Sequence, residues 1–293
     1  MKKRILAALL AAVLLALALT ACNGGGGNVP QKKDPVVTPV SQPIDVFEDL
    51  EYGIYYSDDY DMPLMYRYYI PADYEENKDD TAYPVFLFLH GAGGRGNDNE
   101  THLKNNFQIP FDDVNSPLYH SIVIVPQCPG DKSNPDDTKW VDTSWKEGDY
   151  RLSEVEESIP LKLVVGLLEE IKSEYSTNED RYYVMGESMG GYGTWDLILR
   201  HTEIFAGAVA LCGAGDSTEA SRLVNLPIYC VHGELDTTVP YAKGTPLMVN
   251  AIKAAGGTKI TFESVPDLYH NAWAYTAGKL EVFNWLFAQR RGS

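Results

Sequence analysis

Gly186-Glu187-Ser188-Met189-Gly190-Gly191 joins two segments of different period. Before it, Tyr182-Tyr183-Val184-Met185 is a continuous apolar run, the pattern of a strand buried on both faces. After it, about Met189 to Arg200, the apolar residues recur at helical spacing. A G-x-S-x-G between a strand and a helix marks a sharp turn that lifts the serine oxygen above the sheet. Such a turn strains the serine backbone, and a Cβ at Gly186 or Gly190 would collide with it. The helix that follows places the Met189 N–H at its first turn, where a developing negative charge is stabilised. No P-loop lysine follows, so a phosphate-cradling loop is the weaker reading.

The same alternation extends outward. Pro84 to His90, Ile122 to Pro126, Ala208 to Cys212 and Ile228 to His232 are further continuous apolar runs, and Lys259 to Val265 alternates. Helical patterns separate them. One starts at Ser158-Ile159-Pro160, a cap followed by a first-turn proline, and continues through Leu163, Val164, Leu167, Leu168 and Ile171. Others span Tyr241 to Ala255 and about 272 to 287. Strands alternating with helices predict an α/β fold, a mostly parallel sheet with helices on both faces. Tyr52 to Tyr56 and Leu64 to Ile70 read as antiparallel leading strands, and 98 to 117 as an irregular segment.

A serine nucleophile needs a base, and the base needs an orienting acid. On this kind of sheet the chain order is serine, acid, histidine. Of six histidines, His270 follows the last strand pattern and leaves room for an acid before it. Asp236, on the loop after Ile228 to His232, is the expected acid, with Glu234 as its competitor. Loops at the carboxyl ends of such strands are where sites form. The segment His90-Gly91-Ala92-Gly93-Gly94 matches the type that supplies a second oxyanion donor, expected at Ala92 or an immediate neighbour, beside Met189. Ser188, Asp236 and His270 then hydrolyse an acyl group without metal or organic cofactor.

Taken together, the stretch 186–196, the His90-Gly91-Ala92-Gly93-Gly94 segment, Val125-Pro126-Gln127-Cys128-Pro129, His232-Gly233-Glu234-Leu235-Asp236 and the His270 loop before Trp273 resemble the branch of α/β hydrolases that holds carbohydrate esterases, such as feruloyl and acetylxylan esterases, and polyhydroxybutyrate-depolymerase-like enzymes. The likeness covers about 60 to 290. It implies a serine esterase acting on feruloyl or acetyl esters of plant cell-wall carbohydrate. In that family the loop holding Trp140 and Trp145 borders the acyl pocket, which makes Trp145 a substrate-binding candidate and leaves both rings available for stacking. Tyr269 stands where many relatives have glycine before the histidine. A peptidase of prolyl-oligopeptidase type is the competing hydrolase reading, and an inactive glycan-binding surface lipoprotein the competing non-enzyme reading.

The start of the chain has a separate purpose. Lys2, Lys3 and Arg4 precede an apolar run, Ile5 to Leu19, too short to span a bilayer easily and typical of a secretory signal. Leu19-Thr20-Ala21-Cys22 resembles the bacterial lipobox, which implies acylation of Cys22 and a domain held outside the cytoplasm at the cell envelope. The expected organisation is a signal at 1–22, a Gly/Pro-rich flexible tether at 23–45 and one hydrolase domain at 46–293. A net charge of −17 with no basic patch excludes nucleic acid as partner. The membrane is expected to be met through the lipid alone. Besides Cys22 there are Cys128, Cys212 and Cys230, without metal-ligand spacing; Cys212 and Cys230 read either as a bridge or as buried thiols.

Overall fold

Successive side chains of a strand point to opposite faces, so the run Val85-Phe86-Leu87-Phe88-Leu89 must be covered on both. The computed structural model, which describes residues 31–104, 109–130 and 139–292, shows both covers. Val85, Leu87 and Leu89 pack with Leu163, Leu167 and Trp195 on one face. Phe86 and Phe88 pack with Phe283 and Leu286 on the other. Burying each such side chain contributes roughly 1.5–3 kcal/mol.

The elements run in the order β1 (Glu51–Tyr56), β2 (Pro63–Tyr69), α1 (Tyr74–Asn77), β3 (Tyr83–Leu89), α2 (Thr101–Lys104), β4 (Ile122–Gln127), α3 (Ile159–Glu174), β5 (Thr177–Glu187), α4 (Met189–Arg200), β6 (Gly207–Leu211), β7 (Ile228–Gly233), α5 (Thr245–Ala254), β8 (Ile260–Val265), α6 (Ala272–Ala277) and α7 (Leu280–Phe287). The strands form one eight-stranded sheet in the order β1-β2-β4-β3-β5-β6-β7-β8. Strand β2 is antiparallel to both β1 and β4. From β4 to β8 every pairing is parallel. This mostly parallel sheet flanked by helices is the α/β-hydrolase fold.

Local chemistry explains the helix that covers β3. Ser158 caps α3, its Oγ accepting from Leu161 N–H at 3.3 Å, and Pro160 sits in the first turn. The C-terminal helical pattern behaves differently from its sequence reading. It divides into α6 and α7, with Gly278 capping the first.

One compact unit begins at Lys32, not near 46. The part of the expected tether from Lys32 to 45 lies along the hydrolase domain. Lys33 bridges to Thr81, Val40 N–H donates to Val114 O at 3.0 Å, and Ile44 N–H donates to Tyr119 Oη at 3.0 Å. Asp34 pairs with Arg181 and Arg290. Backbone donors and a paired carboxylate hold a segment whose composition alone predicts none of this. The signal at 1–22, Cys22 and the tether up to residue 30 lie outside the described residues. Cys128, Cys212 and Cys230 are all buried free thiols, so the bridge between Cys212 and Cys230 is not made. Among the described residues no helix is long and apolar enough to cross a membrane.

Candidate active site

Strand β5 ends and helix α4 begins within one residue, and that residue is Ser188. Its backbone has φ 53° and ψ −115°, a left-handed conformation that a side chain tolerates only when the surroundings impose it. They do. A Cβ on Gly190 would strike the Leu89 carbonyl, and one on Gly186 would strike the Gly190 carbonyl. The Ser188 N–H is anchored to Leu211 O on β6 at 2.9 Å. The side chain is left at the surface of the site, 9% of the residue remaining exposed.

Ser188 Oγ lies 2.7 Å from His270 Nε2. On the other side of the ring, Nδ1 lies 2.7 Å from Asp236 Oδ2. The three residues come from β5/α4, the loop before α6 and the loop after β7, so 82 residues separate serine from histidine in sequence. Asp236 Oδ1 accepts from Thr238 and Val239 N–H at 2.9 and 3.0 Å. Burial acts to raise the Asp236 pKa. Hydrogen bonds from His232 and His270, the His270 charge and the Val239 N–H outweigh it and hold the carboxyl below the usual carboxylate range. Glu234, the competing acid, is exposed and accepts from Ser264 Oγ at 2.6 Å. It takes no part in this chain of bonds.

The glycine-rich segment after β3 runs against Ser188. A Cβ on Gly91 would lie 3.6 Å from Ser188 Cβ. His90 controls its orientation. Cys128 N–H donates to His90 Nε2 at 2.9 Å, so the ring proton sits on Nδ1, which donates to Gly91 O at 2.6 Å. Gly94 N–H donates to the same oxygen at 3.0 Å. Fixing Gly91 O fixes the planar Gly91–Ala92 peptide and points the Ala92 N–H the opposite way. Ala92 opens a 3-10 turn and Met189 opens α4, positions whose N–H groups have no intrahelical acceptor. Burial pushes the His90 pKa down to about 4, so the ring stays neutral near pH 7 and keeps this tautomer. Glu187 adds a second brace, its Oε1 accepting from Gly91 N–H at 3.2 Å. Burial pushes its carboxyl well above the usual range. The residue before Ser188 is thus a carboxyl packed beneath the site.

Two tryptophans that sequence assigned to stacking separate here. Trp140 is fully buried, and its Nε1 donates to His90 O at 3.0 Å. It braces the glycine-rich segment and, being completely buried, cannot stack on a ligand. Trp145 is half-buried and walls a cleft of about 550 Å³ together with Ser144, Lys146, Thr237 and Thr238. The two threonines directly follow Asp236, and the Trp145 carbonyl accepts from Tyr192 Oη on α4 at 3.1 Å. Two aromatic residues flank His270: Trp273 stands edge-on to its ring with centroids 5.3 Å apart, and Tyr269 is 63% exposed. Cys212, Asp236 and His270 offer ligand atoms within 4.8 Å of one another. Burial pushes the Cys212 thiol well up, and the other two are bonded to each other, so this set suits a metal poorly. Neither His90 as the brace of Ala92 nor His232 beside Asp236 was anticipated from sequence. Both roles depend on partners brought together by strands that are distant in the chain.

Comparison with known proteins places the fold in a family. The phospholipase/carboxylesterase family model matches residues 75–283. Among solved structures, a thermostable esterase is 29% identical with a TM-score of 0.70, over 84% of this chain and 64% of that one. The chain therefore spans less than two thirds of that esterase's length. A ferulic acid esterase is 16% identical with a TM-score of 0.58, over 81% of this chain and 97% of that one. An acylaminoacyl peptidase from Pyrococcus horikoshii is 13% identical with a TM-score of 0.57, over 83% of this chain and 42% of that one. The last two likenesses are of fold. No curated protein matches the chain. With the family match running through β3, the nucleophile turn and the His270 loop, the chain belongs to the phospholipase/carboxylesterase family of α/β hydrolases.

Proposed function

We propose that this protein is a serine esterase that works through an acyl-enzyme, and that its substrates are feruloyl or acetyl esters of plant cell-wall carbohydrate. The observation that carries the mechanism is the unbroken pair of 2.7 Å contacts from Ser188 through His270 to Asp236. Ser188 Oγ attacks the ester carbonyl carbon while His270 Nε2 takes its proton. The carbonyl oxygen becomes an oxyanion between the N–H groups of Ala92 and Met189. As the intermediate collapses, the C–O bond to the alcohol breaks and His270 returns the proton to the alcohol oxygen. Water then repeats the sequence on the acyl-Ser188 ester and releases the acid. Asp236 holds the imidazole in one tautomer and stabilises it when charged. No step needs a metal or an organic cofactor.

The substrate reading rests on the residues around the site. Trp145, Tyr269 and Trp273 are large aromatic faces suited to an aromatic acyl group or a sugar ring. Trp145 is the proposed substrate-binding residue. The acidic chain, at −17, is a poor match for anionic lipid. The test is kcat/KM on methyl ferulate and acetylated xylan fragments against p-nitrophenyl esters of rising chain length and aminoacyl amides. Release of ferulate or acetate, with efficiency falling beyond short acyl chains, is expected. Peak efficiency on long chains would reject the carbohydrate assignment, and preference for the amides would favour the peptidase reading. Covalent labelling of Ser188 by a fluorophosphonate separates every hydrolase reading from an inactive glycan-binding protein.

The proposed location is outside the cytoplasm at a bacterial cell envelope, with a lipid on Cys22 as the anchor. The basis is the basic and apolar start and Leu19-Thr20-Ala21-Cys22. Mass spectrometry of the mature N-terminal peptide is expected to find it beginning at Cys22 with acyl chains attached. A mature chain that starts elsewhere and carries no lipid would overturn this. A protein lacking residues 1–22 is expected to be soluble and as active as the mature form.

A further inference from the structure

A carboxylate buried as deeply as Asp236, whose side chain is 0% exposed, needs every lone pair occupied. Its Oδ1 takes two backbone N–H groups. Its Oδ2 takes His270 Nδ1 and also faces a second imidazole, with His232 Nε2 at 3.2 Å. His232 sits at the end of β7, four residues before Asp236, and is completely buried. The same Nε2 lies 3.0 Å from Val239 O. A carbonyl and a carboxylate only accept, so Nε2 carries a proton and is shared between them. The ring cannot turn away. Its Nδ1 lies 3.0 Å from Thr245 Oγ1, which donates to Gly213 O at 3.0 Å. Tyr241 stands against the ring edge-to-face at 5.7 Å, and a Cβ on Gly244 would press into it at 2.5 Å.

We propose that His232 is a positioning residue of the hydrolytic site, the second imidazole donor to Asp236, so that the working unit is the chain Ser188–His270–Asp236–His232. The inference rests on the esterase reading above. Its physical content is a competition for one oxygen. Each donor on Oδ2 withdraws negative charge from it, so a carboxylate with two imidazole donors holds the His270 proton less tightly than one with a single donor. His232 thus sets how strong a base Asp236 makes of His270, and it fixes the oxygen in line with Nδ1. The other groups facing the pair are Cys212 at the end of β6, Tyr192 on α4 and Tyr241 before α5. Burial and the Asp236 charge push the Cys212 thiol and the Tyr192 phenol up, so both stay neutral across the active range.

The test compares His232→Ala with His232→Gln, whose amide N–H can stand where Nε2–H stood. Thermal unfolding and fluorophosphonate titration fix the folded, competent fraction. Then kcat and KM for p-nitrophenyl acetate are measured from pH 5 to 9, and the low-field imidazole proton resonances are recorded. For His232→Ala, kcat is expected to fall about ten- to a hundredfold, the worth of one hydrogen bond to a charged group, with KM little changed. The acid limb of kcat/KM is expected to move up by about half a pH unit or more, and the His270 Nδ1 proton resonance to shift. His232→Gln is expected to recover most of the rate and the limb. A folded His232→Ala protein with unchanged rate, pH profile and resonance overturns the proposal. So does a rate loss equal in both variants with the pH profile unmoved, which marks a purely structural ring. If the wild-type chain hydrolyses no ester and takes no label, the esterase reading fails. The resonance comparison then still decides whether His232 and His270 are coupled through Asp236.

Discussion

Ser188→Ala and His270→Ala are each expected to lower kcat/KM on a short aryl ester by about 10⁴-fold or more, and the double variant to be little worse than either. The reason is geometric. Ser188 Oγ has one proton to lose, and the group placed to take it is His270 Nε2 at 2.7 Å. Either substitution removes that step completely, so the second one has nothing further to remove. Residual catalysis above water is expected from the Ala92 and Met189 amides, which neither change disturbs. Ser188→Ala also relieves little strain, because alanine keeps the Cβ that makes the positive φ costly. Its melting temperature is therefore expected to stay close to wild type. Steady-state kinetics with active-site titration checks both statements. Two single losses that multiply in the double variant would mean that serine and histidine act independently and that the assignment is wrong.

Asp236→Asn is expected to cost about 10³- to 10⁴-fold in kcat, whereas Glu234→Gln changes it by no more than about twofold. Asparagine keeps the shape of the side chain. Its amide, however, presents N–H groups where the carboxylate presents lone pairs. Thr238 N–H, Val239 N–H, His232 Nε2–H and His270 Nδ1 all converge on the two Asp236 oxygens. An amide nitrogen on the His270 side favours the tautomer with the proton on Nε2, which cannot accept the Ser188 proton. One on the other side meets the two backbone donors. Glu234 is held by Ser264 on the outside of the loop and has no contact with the base. Kinetics of the two variants side by side separates the acids. Full activity in Asp236→Asn together with loss in Glu234→Gln would move the acid two residues upstream.

Much of this site was legible because the information is local. A strand pattern, a Gly-flanked serine and a helix pattern lie within about twenty residues, and the steric reason for both glycines acts inside that turn. The order of Ser188, Asp236 and His270 along the chain, each after its own strand, placed all three at the same edge of a parallel sheet. Parallel strands also announce themselves by being apolar throughout, and each predicted run from β3 to β8 is a strand in the structure. The expected antiparallel entry of β1 and β2 is also found.

What the sequence determined by itself is therefore the α/β sheet and the turn that presents Ser188, which follow from sterics and periodicity over a few neighbouring residues, while chain order pointed to Asp236 and His270 as the side chains that meet it. The tertiary structure alone decided the strand order that puts β4 outside β3 and the burial of Trp140 behind His90. It also decided the attachment of residues 32–45 to the domain and the placement of His232 on the far side of Asp236. Those outcomes depend on which distant surfaces meet. A histidine four residues before an aspartate is commonplace in sequence. It becomes a second donor only when Val239, Thr245 and Tyr241 close around its ring and leave the carboxylate as one of the acceptors its Nε2 proton can reach.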